Sequence, residues 1–395
     1  MSNQTTNTVL HAVADDIDIP DSSYELTEKR YKALTEWFAR KESKCSDYNP
    51  YLYPQGSFRL GTVVRPVDAD GEYDLDMGCR LCRGITKSTH TQRQLKELVG
   101  VDIEAYRVAQ GFKYEREEKK RCWRLRYADQ INFHLDAVPS IPEEEGRRGL
   151  IKEAMVKEGT APRDLAQSVV KHAGAITDNT RDDYDSISED WFISNSEGYA
   201  LWFDWRMEQA RPLLEKWASA ARAAKIVKLP ANKRKSPLQR CIQILKRHRD
   251  VMFKDDPDGK PISIIITTLA AEAYLGEVEL DDALDGILSR MEGLIHPQRP
   301  RVPNPVNPAE DFADKWKDDL ELEKNFRMWV AQARADFQQL RKSSATGVID
   351  RLLRRSFAVG LTEDALASIP GLMAGASAPK MHEVASSSAK PWSRG

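Results

Sequence analysis

Hydrophobic positions recur along this chain with two different periods, and the change from one to the other predicts its architecture. Residues 1–20 are polar and are expected to fray. From Asp21–Ser23, which can cap a helix, Leu34, Trp37 and Phe38 fall on one face at i, i+3, i+4 spacing, predicting a helix to about residue 44. A segment at 51–62 and a turn rich in Pro, Asp and Gly at 66–71 lead into a strand over 73–81 and a helix over 92–110. Two β stretches follow, at 122–127 and 131–138. In the second, Phe133, Leu135 and Ala137 alternate with Asn132, His134 and Asp136. Alternation of this kind marks a strand with one core face and one accessible face. Residues 141–190 are polar and weakly periodic, and no element is predicted there.

Helical spacing then takes over. A helix over 199–220 carries Trp202, Trp205 and Trp217, which at this spacing are read as core. Residues 228–235 form a basic loop. Ser236-Pro237 opens the next helix as N-cap and first residue. Leu238, Cys241, Ile242, Leu245 and Met252 share one of its faces, and Lys246, Arg247, His248 and Arg249 crowd its last turns. Pro261-Ile262-Ser263 begins a very apolar helix over 264–274, which should be buried. After a Pro-rich loop at 297–308, Phe326, Trp329, Val330, Ala333, Phe337 and Leu340 mark an amphipathic helix, followed by a shorter one over 348–359. From about residue 370 the chain is rich in Ala, Ser, Pro and Gly and is expected to be disordered. A mixed α/β part to about residue 140 thus gives way to a mainly helical part, with a cleft expected between them.

Composition changes this picture little. The 395 residues include 30% charged side chains, yet the formal net charge is only −2, which argues against a protein whose main task is to coat nucleic acid. No apolar run has the length of a membrane span, and residues 2–8 lack a signal-peptide core, so a cytoplasmic protein is expected. Five cysteines, an odd number, do not suggest a disulfide framework. Cys79 and Cys82 form a lone C-x-x-C without the further ligands that zinc needs, and are read as core residues.

The chemistry lies in Gln55-Gly56-Ser57-Phe58-Arg59-Leu60-Gly61-Thr62 and, further on, Asp74-Leu75-Asp76. Gly56 allows the backbone to approach a triphosphate closely, and Ser57 offers it an N–H and a hydroxyl. On a strand, Asp74 and Asp76 point to the same side. Asp136 occupies the accessible face of a second strand. If the two strands are neighbours, three carboxylates converge, and their repulsion calls for cations. Two Mg²⁺ (or Mn²⁺) ions bound there would suit an in-line displacement at phosphorus. His134 shares the face of Asp136 and is read first as a hydrogen-bonded structural histidine. Arg59 and Arg65 could meet phosphate or pair with acids.

These residues resemble the polymerase β-type nucleotidyltransferases. The flanking sequence resembles, more narrowly, the bacterial CD-NTases: Gln55-Gly56-Ser57-Phe58, Phe133 to Pro139, Ser194 to Tyr199, Leu238 to Asp250, Ser263 to Leu269, and Asn304 to Trp316. One departure is Ser196-Glu197, where many relatives carry Pro-Lys. The resemblance spans about 24–345. It implies an α+β fold, with a polymerase β-like mixed sheet in a nucleotidyltransferase core (21–200), a helical spine and C-terminal helical domain (201–369), and a tail at 370–395.

It also implies a Mg²⁺-dependent synthase that makes a cyclic di- or trinucleotide from NTPs such as ATP or GTP, with release of pyrophosphate, in antiphage CBASS signalling. The product would act on a downstream effector. Asp74 and Asp76 would hold both metals and Asp136 one of them. Gln55, Gly56, Ser57, Lys246 and Ser263 would contact the nucleotide. Ser263 can also be an N-cap, whose free N–H groups attract phosphate. Gly395 would be a site of conjugation to targets by E1/E2-like machinery. Two other functions stay open: a toxin-like relative that makes linear oligonucleotides or modifies RNA or protein, and a nucleotide-binding scaffold. The presence of all three aspartates argues against the scaffold.

Overall fold

The computed structural model describes residues 3–68, 71–127, 133–209 and 235–360. The expectations for Asn132, for Trp217 and most of the basic loop at 228–235, and for the tail with Gly395 lie outside the described residues. The N-terminal half runs α1 (Asn3–Asp16), α2 (Asp21–Ala39), β1 (Pro50–Pro54), α3 (Gly56–Leu60), β2 (Tyr73–Leu81), α4 (Gln92–Ala109), β3 (Glu117–Glu118), β4 (Trp123–Tyr127) and β5 (Phe133–Pro142). It continues through α5 (Glu145–Lys157), α6 (Arg163–Val169), β6 (Gly174–Ile176) and β7 (Phe192–Ser194). The helical half comprises α7 (Ser196–Gln209), α8 (Pro237–Met252), α9 (Ser263–Ala273), α10 (Leu280–Arg290), a small ribbon of β8 (Pro303–Asn304) and β9 (Asn307–Asp311), then α11 (Leu320–Lys342) and α12 (Thr346–Phe357).

The main sheet is mixed. Its strands are ordered β1-β2-β5-β4-β3, and β6 and β7 extend it from the end of β5. β2 and β5 pair in parallel, while β1 and β4 flank them antiparallel. Strand alternation sorts the side chains by parity. Tyr73, Leu75, Met77, Cys79 and Leu81, with Phe133, Leu135, Ala137, Trp123 and Leu125, are buried in one hydrophobic cluster. Helices α2 and α4 close that cluster with Leu34, Phe38, Leu95, Val99, Ile103 and Tyr106. The opposite parity faces the cleft. Cys79 is therefore a core residue, and all five cysteines are free.

Asp102 ties the back of the sheet together. This buried carboxylate on α4 accepts hydrogen bonds from Ser43 Oγ (2.7 Å) and from the backbone N–H groups of Cys45 (2.9 Å) and Lys44 (3.2 Å). It thereby fixes the turn between α2 and β1.

The N-terminus departs from expectation. Residues 3–16 form a helix in which Val9, Leu10, Val13 and Ala14 are fully buried, and α1 packs against α8, α10 and α11. Its apolar residues are few and confined to one stripe, so the polar background hid the helical period. The polar 141–190 region also holds α5, α6 and β6. Their apolar residues, such as Ile151, Met155, Ala166 and Val169, join a second cluster formed by the helical half. Trp202 is buried there and Trp205 packs against it. No helix among the described residues is long and apolar enough to cross a membrane.

The Asp102 hub generates a stability prediction. Asp102→Ala leaves buried donors unsatisfied and should lower unfolding stability by about 2–4 kcal/mol in urea titrations. A loss below about 1 kcal/mol would show that the turn holds without it.

Candidate active site

Register brings the aspartates together. In the parallel β2–β5 pair, Asp74 stands opposite His134 and Asp76 opposite Asp136. Positions of like parity share a face, so Asp74, Asp76 and Asp136 all face the cleft. Asp74 is exposed, and Asp76 and Asp136 are half-buried. Burial, then the charges of Asp136 and Asp74, push the Asp76 carboxyl up to about 7.

The turn before β2 is fitted to Asp76. Gln55 N–H donates to the Asp76 carbonyl at 2.8 Å. Gly56 sits at φ +58, and a Cβ there would come within 2.3 Å of Asp76 Oδ2. Any side chain would therefore be strained twice, by backbone conformation and by contact. Ser57 follows on the short helix α3, and its carbonyl accepts the Thr62 N–H at 2.9 Å. Gly78, two residues beyond Asp76, leaves room for the Tyr53 ring and the Gln55 amide, which a Cβ would meet at 2.1 and 2.5 Å.

Residues 60–65 connect this turn to the strand of aspartates, and helix α8 holds their carbonyl groups. Gln239 Nε2 donates to Leu60 O (2.8 Å), Lys246 Nζ to Thr62 O (3.2 Å) and Oγ1 (3.1 Å), Gln243 Nε2 to Val63 O (2.6 Å), and Arg247 Nη2 to Arg65 O (2.6 Å). Positions 239, 243, 246 and 247 fall on one face of a helix. The helix starts where the sequence predicts: Ser236 caps it in a capping box with Gln239, and Pro237 is at the first position.

Lys246 is thus placed beside the turn, with its ammonium on Thr62. Burial, then Arg249, lowers its pKa to about 7. Ser263 differs from its predicted role as a cap. The N-cap of α9 is Ile262, and Ser263 is the first helical residue, exposed, with its Oγ accepting from Arg249 Nη1 at 2.9 Å. Ile262 takes the extended conformation of a cap (φ −72, ψ 146), so the helix starts one residue earlier than expected. Arg249 thereby links α8 to the start of α9.

Other candidates are settled by their partners. His134 Nε2 lies 2.8 Å from a Glu72 carboxylate oxygen and its Nδ1 3.5 Å from Asp74. Arg59 pairs with Asp204 at 3.0 Å and Arg65 with Asp16 at 3.2 Å. Glu197, where relatives were expected to carry Lys, anchors α7 to the sheet below the aspartates. It accepts from Tyr51 OH (2.8 Å), lies 3.2 Å from His172 Nδ1, and stands 3.6 Å from Arg80.

One residue in the site has no counterpart among the sequence candidates. Arg124 on β4 stands opposite Asp136 in the antiparallel register. Its Nε and Nη2 donate to Asp136 Oδ1 and Oδ2, both at 2.7 Å, and Nη2 lies 3.8 Å from Asp74 Oδ1. The alternation of Trp123 and Leu125 with Arg124 and Arg126 was a usable signal for its face, but not for the pairing partner.

Among the described residues, no three His, Cys, Asp or Glu side chains stand close enough, as placed, to hold a metal ion. The donor chemistry nonetheless fits a hard divalent cation: three carboxylates on one face, one with its proton affinity raised by burial and then by the other two. Arg124 occupies the carboxylate that would complete the set.

Residues 50–139 match the family model for the nucleotidyltransferase domain of DncV-like cyclic GMP-AMP synthases. The chain is 29% identical over 339 residues to the c-di-GMP synthase of Roseivirga ehrenbergii, covering 85% of this chain and 79% of that one. It is 26% identical over 332 residues to the cyclic dinucleotide synthase CdnG of Bradyrhizobium diazoefficiens, covering 78% and 69%. The solved structure of that CdnG, a CD-NTase in complex with GTP, superposes with a TM-score of 0.62 at 21% identity, over 92% of this chain and 97% of the other.

Two predictions follow from the electrostatics and the clamp. Because the folded-state pKa of Asp76 is raised, its ionisation opposes folding progressively as pH rises from about 4 to about 7. In EDTA, Asp76→Asn should therefore be more stable than wild type at pH 8, by about 1–2 kcal/mol after solvent screening. That gap should close toward pH 4, and urea unfolding at the two pH values checks the sign. Gln243→Leu leaves the buried Val63 carbonyl without its donor and should loosen the turn. The expected result is unfolding stability lowered by about 1–3 kcal/mol in urea titrations, with far-UV dichroism unchanged.

Proposed function

We propose that the chain is a bacterial CD-NTase and joins two nucleoside triphosphates into a cyclic dinucleotide. The observation that carries the proposal is the parallel pairing of β2 and β5, which sets Asp76 opposite Asp136 on the face occupied by Asp74, against the Gly56-Ser57 turn. The two relatives named as cyclic dinucleotide synthases support a two-membered ring, and the name of one supports GTP as the first substrate to test. Antiphage CBASS signalling fits the family.

In each half-reaction a ribose hydroxyl of one nucleotide attacks the α-phosphorus of the other. The P–O bond to the β-phosphate breaks, pyrophosphate leaves, and the hydroxyl proton is lost. A second attack within the linear intermediate closes the ring and releases a second pyrophosphate. Asp74, Asp76 and Asp136 would hold divalent cations, with Asp136 on the side of the attacking hydroxyl. Bound Mg²⁺ or Mn²⁺ would neutralise the triphosphate and acidify that hydroxyl.

The chain's own groups supply position. Gly56 gives the triphosphate an approach free of side chains, and the Gly56 and Ser57 N–H groups and the Ser57 hydroxyl are proposed to bind it. Gln55 and Gly78 set the floor of this approach. Helix α8 keeps the turn in register with the aspartates through Gln239, Gln243 and Lys246. Lys246, whose ammonium bonds Thr62, and Ser263, exposed at the start of α9, are proposed as further phosphate contacts.

The test is mass spectrometry of the products from an equimolar NTP mixture with Mg²⁺ or Mn²⁺. A phosphatase-resistant cyclic dinucleotide is expected, and only phosphatase-sensitive linear products would replace this reading with that of a linear-oligonucleotide synthase. An Asp74→Ala/Asp76→Ala variant should lose at least about 10³-fold in rate. Retained turnover would sink the site assignment.

A further inference from the structure

Among the described residues, Arg124 is the one cation that grips a candidate metal-ligating carboxylate with both arms of its fork. Both oxygens of Asp136 are taken, at 2.7 Å each, and the same guanidinium reaches to within 3.8 Å of Asp74. The pair is enclosed: the Arg124 side chain is 22% exposed and that of Asp136 13%. Bidentate geometry of this kind is strong and directional. Neighbouring strands hold both partners, since Arg124 and Asp136 are register partners in the β4–β5 ladder.

A carboxylate held in this way cannot also ligate a metal through the same lone pairs. The face carries Asp74, Asp76 and Asp136 within one strand pair, so some positive charge is needed there in every state of the protein. In the structure the cation bonded directly to these carboxylates is Arg124. A divalent cation arriving alone must displace a fork from a partly desolvated carboxylate. A cation arriving with a nucleoside triphosphate brings the guanidinium a new partner, because phosphate oxygens accept the same two-armed hydrogen bond as a carboxylate.

We propose that Arg124 is a placeholder cation that holds Asp136 until a nucleoside triphosphate arrives, then transfers its fork to the nucleotide's phosphate, so that divalent-metal binding and nucleotide binding are positively coupled. The proposal rests on the reading of Asp136 as a metal ligand. It makes Arg124 a positioning residue: it sets when Asp136 is available and where the triphosphate lies. By linkage, the factor by which nucleotide raises metal affinity equals the factor by which metal raises nucleotide affinity.

The experiment uses the full chain and Mn²⁺ alone as probe, with free Mn²⁺ read by electron paramagnetic resonance. Mn²⁺ is then titrated again with saturating non-hydrolysable GTP. Wild type should bind Mn²⁺ weakly without nucleotide and at least about tenfold more tightly with it. Arg124→Gln should bind Mn²⁺ at least about tenfold more tightly than wild type without nucleotide, with a coupling factor well below that of wild type, the remainder being direct contact between metal and triphosphate. That gain should vanish in Arg124→Gln/Asp136→Asn.

If Arg124→Gln gains no Mn²⁺ affinity while Asp136→Asn weakens binding in wild type with nucleotide, the placeholder role fails and the carboxylate site stands. If Asp136→Asn changes Mn²⁺ binding in neither background, both readings fail. Should Arg124→Gln unfold, Arg124→Lys serves instead. It keeps the charge but not the fork, and should show a smaller gain without nucleotide and a reduced coupling factor. An unchanged affinity and coupling factor in Arg124→Lys would likewise overturn the proposal.

Discussion

The grip of helix α8 on the carbonyl groups of residues 60–65 is the constraint on which the site depends. That segment makes few backbone bonds of its own, yet Thr62 is fully buried and Leu60 and Val63 nearly so. Buried carbonyls need donors, and here the donors come from side chains almost two hundred residues away in sequence: Gln239, Gln243, Lys246 and Arg247. The turn carrying Gly56 and Ser57 is therefore not a free loop at a sheet edge. Its far end is bolted to the helical half, and its near end is bolted to Asp76 by the Gln55 backbone bond. The same helix reaches the N-terminal segment, where Gln243 and Arg240 hold Asp18. One helix face thus fixes α1, the turn and the aspartate strand relative to one another.

That dependence explains what the sequence could and could not reveal. Strand β2 was legible to the residue, because Tyr73, Leu75, Met77 and Cys79 alternate with Asp74, Asp76 and Gly78 over a long run bounded by turn residues. The start of α8 was legible because Ser236, Pro237 and Gln239 form a local capping pattern. Helix α1 was not, because its stability comes from burial against α8 and α10, and its own composition is polar. The start of α9 was misplaced by one residue, since Ser263 has the chemistry of a cap but Ile262 has the backbone conformation of one. Glu197 differs in kind: its meaning lies in Tyr51, His172 and Arg80, three residues scattered through the chain.

The candidate site was legible for its acids and for Lys246, and not for Arg124. Two carboxylates at i and i+2 declare a shared direction within a single strand, and the alternation around Asp136 declares its face. Whether those faces coincide depends on the pairing of β2 with β5, a non-local fact. Arg124 required one further pairing, of β4 with β5. Cations on long side chains carry little positional information in sequence, because the head group sits several bonds from the backbone.

The balance of charge in the cleft then takes a specific form. Three carboxylates share one face, and the cations that reach it are of two kinds. Lys246 is buried and tethered to Thr62, with its proton affinity reduced, so it contributes a charge that is costly to keep and hard to move. Arg124 is tethered by its fork to Asp136 and by its stem on β4, with Asp74 within 3.8 Å. A guanidinium keeps its charge wherever it goes. The two cations therefore divide the work: the lysine holds the turn in place, and the arginine can change partners without changing protonation. A site that must be empty of metal in one state and loaded in another needs a counter-charge of the second kind, and the strand ladder supplies it directly opposite the carboxylate that completes the ligand set.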